Sequence, residues 1–520
     1  MSEKLCALLI LLPSLLHWVL FIAFQQTKSK RHIKLIANLS GITSLLSIVF
    51  GTTLYSFSGA HPLELFDING LGLSLRIDML SLIMFGMVSI IAFFVYRFSI
   101  NYLDGDPRFV IFTRIFFLIV GSVQLLTLSG NLLGIYLMWV ITSLGLQKLL
   151  TLYPERKKAL LSAKTKFIMA RIADLCLFAS FSIIYSVTGT GDLSSLLYEN
   201  YSIELLLSSG KMETICVLLG LTAVFKSVQF PFHTWLIGVL ESPTPVSALL
   251  HAGLLNAGPF LIIRFSPIFQ SSEITPILLL FIGGFSAIFG SVTHITQSSI
   301  KSGLVYSSIG HMGFSLMLCG FGLYSAALLH LVSHSFYKAH AFLKSGSVIE
   351  DVRSINTEHY TRLGRSSNSL FAFVLTIVLY SSLFYLISGF LDISSPLAYL
   401  GLIIFMGAFA LLNYSLDAKN ALFTGGKALL IAIATITLFY LMESGMEILV
   451  TGEIPHPETL KPSRLLIIYL LLGAFLGATL LQLVISVPSR KFFGKSLRVH
   501  LRNGLYIDLL LSRIIKVSQK

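Results

Sequence analysis

Leu465–Ile485 reads LLIIYLLLGAFLGATLLQLVI, a run of 21 residues without a charge. About 20 apolar residues in a helix cross the ~30 Å hydrocarbon layer of a bilayer. In that layer no water is present to satisfy backbone N–H and C=O groups, so the run must be an α-helix, which pairs them internally. Strand-like alternation is absent, which excludes a β-barrel. Leu5–Phe24, Phe109–Ser129 and Phe167–Val187 read the same way, and the pattern recurs in about fifteen spans along the 520 residues. With 55% hydrophobic residues, 12% charged residues and a mean hydropathy of +0.84, the composition matches a chain whose main solvent is lipid. The sequence therefore predicts an all-α, polytopic membrane protein of about 13–15 transmembrane helices.

The net charge of +13 would point to nucleic acid in a soluble protein. Here the basic residues fall on alternate loops, which reads as topology and excludes a nucleic-acid partner. Lys28, Lys30, Arg31 and Lys34 follow the first span, and Arg97 and Arg108 the third. Lys148, Arg156, Lys157, Lys158, Lys164 and Lys166 follow the fifth, Arg353, Arg362 and Arg365 the eleventh, and Arg490, Lys491, Lys495, Arg498, Arg502, Arg513 and Lys516 the last. The loops between are acidic or nearly uncharged: Glu64 and Asp67, then Asp192, Glu199 and Glu204, then the three glutamates of 447–461. The positive-inside rule puts the N-terminus outside and the C-terminus in the cytoplasm of a bacterial inner membrane, and an odd span count satisfies both. No cleavable targeting signal stands out at the start. Cys6, Cys176, Cys216 and Cys319 lie scattered in apolar segments, without the spacing of a zinc, iron–sulfur or disulfide site. No cofactor and no metal is expected in this chain, and no nucleotide or hydrolytic motif is present; Gly189-Thr190-Gly191 is too short for one.

The informative residues break the apolar pattern, because an ionisable group at membrane depth costs several kcal/mol and persists when it is paired, hydrated or used. Lys226 sits mid-span, five residues before Pro231, which removes a helix hydrogen bond and clashes with the preceding turn. The helix is expected to break there and leave bare carbonyls beside the ammonium. Pro243 and Pro245 open the next span, which carries His251. His330, His334 and Lys338 are spaced i, i+4 and i+8, so they share one helical face with ~6 Å of rise between neighbours. Histidine titrates near neutrality, and such a stripe suits proton relay. Ser333, Tyr337, His340 and Lys344 extend it, and Lys301 and His311 come from the preceding span. Arg171 and Asp174 form an i, i+3 pair that is either structural or functional. Asp78 is read as a candidate interface residue, and Glu241 as either a gate or an exposed loop acid.

Lys226–Gly253 reads KSVQFPFHTWLIGVLESPTPVSALLHAG, and it resembles the signature of the proton-translocating antiporter-like family. That family includes the large membrane subunit of NADH:quinone oxidoreductase, the Mrp cation/proton antiporters and the DabB membrane subunits of inorganic-carbon-accumulating complexes. The similarity continues through KSGLVYSSIGHMGF (301–314) and HLVSHSFYKAHAFLKSGSV (330–348). The resemblance implies inverted repeats around the broken helix and a proton path through Lys226, His251, Lys301, His330, His334 and Lys338. It divides the chain into N-terminal helices (1–108), two antiporter-like repeats (109–266 and 267–415), C-terminal helices (416–487) and a basic cytoplasmic tail (488–520).

Two departures bear on the branch. The family's redox and antiporter members carry a glutamate after the tryptophan of span five, where this chain has Trp139-Val140. Their later lysine–acid element is missing as well, since 368–390 contains no charge. WVITSLGLQKLL (139–150), YPERKKALLSAKTKFIMARIAD (153–174) and VHLRNGLYIDLLLSRI (499–514) resemble the DabB branch. By that resemblance the chain couples a proton or sodium gradient to CO2/bicarbonate accumulation, with a DabA-like, zinc carbonic-anhydrase-type partner that holds the zinc. The alternative is a proton-pumping subunit of a quinone-oxidoreductase-like or Mrp-type complex, and nothing resembles the substrate pocket of a self-sufficient carrier.

Overall fold

The computed structural model describes residues 3–24, 30–59, 61–68, 70–198, 200–346, 366–391, 393–416, 421–457, 461–485 and 493–507. Long apolar segments form helices throughout: α1 (Glu3–Ala23), α2 (Lys30–Ser58), α3 (Met79–Tyr102), α4 (Phe109–Leu128), α5 (Leu132–Leu150) and α6 (Lys157–Thr188). Two short helices, α7 (Leu193–Tyr198) and α8 (Asn200–Ser208), lead to α9 (Met212–Lys226), α10 (Thr234–Gly238), α11 (Thr244–Ala252), α12 (Ala257–Arg264) and α13 (Ser266–Gln270). Then come α14 (Ile274–Thr296), α15 (Ile300–Phe321), α16 (Tyr324–Lys344), α17 (Ser366–Ser388), α18 (Ser395–Leu416), α19 (Ala421–Leu449), α20 (Pro462–Ile485) and α21 (Phe493–Arg502).

Twelve described helical spans are long and apolar enough to cross a membrane, and thirteen if the bent pair α8–α9 is one span. Helices α1 and α16 are also 21 residues long. Of these, α16 carries three histidines and two lysines, which keep its hydropathy low. One element departs from the all-helical expectation. His61–Ile68 and Leu71–Ile77 pair as antiparallel strands β1 and β2, with Gly70 in the left-handed region at φ +77°. The signal was the Asn69-Gly70 turn between two alternating segments.

The helix carrying Lys226 breaks where expected. α9 ends at Lys226, and helix resumes at Thr234. Pro231 has no N–H to continue the ladder, and the exposed backbone is taken up locally. Phe230 N donates to Ser286 Oγ of α14 at 3.0 Å, and Gln229 Nε2 donates to Ser227 O at 2.7 Å. The next span is interrupted too, by a short turn over 253–256 between α11 and α12.

α14 and α15 pack backbone to backbone through small residues, as membrane helices do in the absence of a hydrophobic drive. A Cβ on Gly290 would lie 2.4 Å from Gly310 N, and one on Gly313 would lie 2.6 Å from Gly283 O. This contact sets the depth at which α15 presents His311.

The loops gather on two faces. On one, the hairpin, 129–131, 189–192, 270–273, 450–457 and 461–464 are joined by bonds such as Gly191 N–Gly70 O at 2.7 Å and Ser272 Oγ–Glu213 Oε2 at 2.8 Å. That face holds Glu64, Asp67, Asp192, Glu213, Glu273, Glu447 and Glu453, with Lys211, Lys461 and Arg464 as basic exceptions. On the other, Arg108 pairs with Glu155 at 2.7 Å, Arg156 donates to Glu241 O, and Gln297 donates to Arg502 O at 3.2 Å. Lys148, Lys157 and Lys158 flank it. α21 lies there with its apolar side inward, burying Leu501 against Val292 of α14 and Ala478 of α20. Arg353, Arg362, Arg365, Arg490, Lys491, Arg513 and Lys516 lie outside the described residues.

Replacing Gly290 with Leu is expected to force α14 from α15 and cost about 1–3 kcal/mol. Lower yield and an earlier thermal transition in detergent check this, against Gly473→Leu, whose site has no atom within 4 Å of the new Cβ and which should be neutral.

Candidate functional site

The first centre is built by α5, α6, α9 and the interrupted span α11–α12. The Lys226 ammonium ends α9, is buried, and has no hydrogen-bond partner among the described residues. It lies 4.4 Å from the centre of the Trp139 ring, a cation–π contact in a desolvated place. A cavity of about 50 Å³ opens beside it, lined among others by Thr142, Ser143, Lys166 and Asn256. At ~10–15 Å³ per water on this measure, it has room for roughly three to five waters.

Lys166, which the sequence placed with a basic loop, is 5% exposed within α6 and donates to Ser143 O at 2.7 Å. It shares a face with Ala170 and Asp174 at i+4 and i+8, a spacing that could have distinguished it from Lys157, Lys158 and Lys164. Arg171 and Asp174 form an ion pair at 2.6 Å, and Arg171 also reaches Ser143 Oγ at 3.3 Å. Asp174 is thus the buried acid of α6, paired with Arg171 on the helix that also carries Lys166.

The second centre lies on α15 and α16. Lys338 is fully buried and donates to Leu304 O at 3.0 Å. His251 stacks on Phe342 with ring centres 4.3 Å apart. His311 Nδ1 and His330 Nε2 are 3.3 Å apart, and the His334 ring centre is 4.8 Å from that of His311. Asn256 Nδ2 donates to Ser335 Oγ at 2.6 Å, joining the break in α11–α12 to α16 and so the first centre to the second. A cavity of about 530 Å³, lined by His294, His311, His330, Ser291, Ser307 and Tyr337 among others, opens next to the histidines. His294 and Ser307 place it toward the basic face.

Polar atoms without a partner among the described residues follow this course: Lys226 Nζ, Gln229 Oε1, His251 Nδ1, Asn256 Oδ1 and both His334 nitrogens. Each such atom costs about 1–3 kcal/mol when dry. A row of them in a close-packed bundle is a place for ordered water, and waters in line with imidazoles and amines conduct protons.

The structure thus brings together Lys226, His251, His311, His330, His334 and Lys338, and adds Lys166. The remaining candidates lie elsewhere. Lys301 is half-buried near the basic face, donating to Thr244 Oγ1 at 3.1 Å. Lys344, His340, Ser333 and Tyr337 are exposed, so the buried stripe stops at Lys338; His340 and Lys344, two and six residues on, turn away from the face that Lys338 shares with His334. Glu241 is exposed, and its carbonyl accepts from Arg156, which agrees with its reading as an exposed loop acid. Asp78 caps α3, accepting from Ser81 N at 2.8 Å. Its carboxylate is gripped by Arg264 at the end of α12, which also bonds Ser81 Oγ at 2.6 Å, and by Arg76 at 2.6 Å. Burial alone pushes this carboxyl up, and the Arg264 and Arg76 charges override it and hold it at about 2. Glu453 bonds the N–H groups of Met79 and Leu80, at 2.8 and 3.0 Å. This network sits on the acidic face and ties α12 to α3. Among the described residues no group of three His, Cys, Asp or Glu could hold a metal ion.

Residues 129–392 match the model of the NADH:quinone oxidoreductase/Mrp antiporter transmembrane family, and 66–113 match the N-terminal model of chain 5 of NADH-ubiquinone oxidoreductase (complex I). The chain belongs to the NADH:quinone oxidoreductase/Mrp antiporter family. Within it, the chain is 34% identical over 459 residues to probable inorganic carbon transporter subunit DabB2 of Halothiobacillus neapolitanus, covering 85% of this chain and 80% of that one. It is 38% identical over 318 residues to probable inorganic carbon transporter subunit DabB of Hydrogenovibrio crunogenus, where the match spans 60% of each. The Mrp complex of Dietzia sp. DQ12-45-1b shares the fold, with a TM-score of 0.67 at 19% identity over 100% of this chain and 60% of that chain. An antiporter-like, multi-pass membrane subunit is thereby established.

Asp78→Ala strands Arg264 in a buried site and is expected to cost about 3–5 kcal/mol. Thermal unfolding in detergent measures it. Because the folded-state pKa is depressed, the wild-type contribution is present above the ordinary carboxylate range and fades as pH falls through about 2.

Proposed function

We propose that this chain is the ion-translocating subunit that couples a proton or sodium gradient to inorganic carbon accumulation by a DabA-like, zinc carbonic-anhydrase-type partner. The chain itself catalyses no reaction, and CO2 hydration belongs to the partner. The observation that carries the reading is the file of buried and half-buried bases from Lys226 to His330, with its row of polar atoms that have no partner among the described residues. The choice of branch rests on the two DabB relatives and on the absence of charge in α17, which runs unbroken over Ser366–Ser388. The two antiporter-like repeats, 109–266 and 267–415, each contribute one centre. The alternative, a pumping subunit of a quinone-oxidoreductase-like or Mrp-type complex, draws support from the family match and the Mrp fold, but lacks the charge in α17.

The basic face is the cytoplasmic one in this reading, the N-terminus is outside, and the membrane is a bacterial inner membrane. Ions enter from the acidic face, pass among His330, His334, Lys338 and Lys226, and leave toward the cytoplasm. Coupling requires two states of the path that differ in ion affinity, one of which the partner favours. α21 offers the partner a basic helix already anchored to the bundle.

Lys226→Ala and Lys338→Ala are each expected to reduce labelled bicarbonate uptake by cells at least tenfold, leaving membrane insertion and co-purification of a zinc-containing partner intact. Uptake at the wild-type rate in both variants removes these lysines from the mechanism, and a chain that purifies without a zinc protein favours the alternative.

A further inference from the structure

The file of bases reaches a cavity toward the basic face, and the acidic face needs an entrance. Lysines and histidines alone do not provide one: His330 is the member nearest that face on α16, and it lies five residues, ~7.5 Å of rise, beyond Ser325 at the helix start. Opposite Ser325 stands Glu443 of α19. Its side chain is 2% exposed, and Ser325 Oγ donates to Glu443 Oε1 at 2.7 Å. No lysine, arginine or histidine is paired with it among the described residues. A buried carboxyl held by one serine is costly to keep ionised and easy to protonate. One turn further out on the same face, Glu447 is 32% exposed, with Oε1 3.2 Å from His456 Nδ1 on the acidic-face loop. An acid at the surface and an acid in the interior thus lie in order on α19, and the histidine pair begins ~7.5 Å of rise further along α16.

We infer that Glu443, on a helix outside the 129–392 family segment, is the proton entrance of the path, receiving protons from the acidic face by way of Glu447 and passing them to His330. In each passage a Glu443 carboxylate oxygen takes one proton and becomes neutral. It then gives that proton, through bridging water, to an imidazole nitrogen of His330 and returns to the carboxylate. His330 shares with His311, whose ring lines the cavity toward the basic face. Glu447 and Glu443 thus join the acidic face to the file of His330, His334, Lys338 and Lys226, along which the proton continues. This assignment rests on the reading of the chain as an ion path and supplies the acid that α17 lacks.

The test is proton flux into proteoliposomes holding the purified full-length chain with its co-purified partner, driven by an imposed membrane potential and read with an entrapped pH dye. Glu443→Gln keeps the acceptor for Ser325 and should lower the flux at least tenfold. Glu443→Asp should restore much of it. Ser325→Ala, which removes the hydrogen bond and leaves the acid, should change the flux less than threefold, whereas a structural role predicts losses in Ser325→Ala and Glu443→Gln alike. Glu443→Gln flux within twofold of wild type, where Lys338→Ala abolishes it, overturns this assignment and leaves the ion-path reading standing. Absence of flux in the wild type overturns both.

Discussion

Hydrocarbon does not hydrogen-bond, and the architecture follows from that one constraint. It makes helices of the apolar runs, and it permits a helix to open only where protein takes over the bonds that are lost. The break after Lys226 meets this condition through Ser286 of α14 and the local bonds of Ser227 and Gln229. The opening places an ammonium, a cavity for a few waters and the Trp139 ring in one spot at the core of the bundle. The same condition holds at 253–256, where Asn256 turns its amide across to Ser335. The two interruptions are neighbours, so the polar interior is continuous between the two centres.

Buried charge appears in two forms, and the difference separates scaffold from path. At Asp78 every lone pair has a claimant: two arginines and the Ser81 N–H of the helix N-terminus saturate the carboxylate, and Glu453 caps the same helix. Such a network resists change, and it fastens the Arg264 end of the interrupted span to α3. Along Lys226, His251, Asn256 and His334 the polar atoms are under-subscribed. Groups of that kind exchange partners and protons at low cost because no strong bond has to be broken first. The chain thus uses a saturated clamp beside an unsaturated file, and the rigidity of one holds the geometry of the other.

The asymmetry of the loops adds direction. Acidic residues collect where the hairpin and residues 450–457 close the bundle, basic residues where α21 lies against α14 and α20. The acidic face draws cations, and the proposed orientation sets the basic face in the cytoplasm.

Membrane class, helical form, the break at Pro231, family and the alternation of loop charge were legible in the sequence, because each depends on composition or on spacing along one helix. The phase of His330, His334 and Lys338 was legible for the same reason. What the sequence left hidden depends on how helices are rotated against one another. Lys166 stands in a run of basic residues and faces inward only because α6 turns that side to α5 and α9. Lys344 continues the run of bases and is exposed at the end of α16. Asp78 and Arg264, 186 residues apart, become a pair through the packing of α12 on α3, and Glu443 meets Ser325 across 118 residues by the placing of α19. Apolar periodicity fixes where a helix lies, but the packing of small residues and polar partners between helices decides which side chains meet, and that information is distributed over segments far apart in the chain.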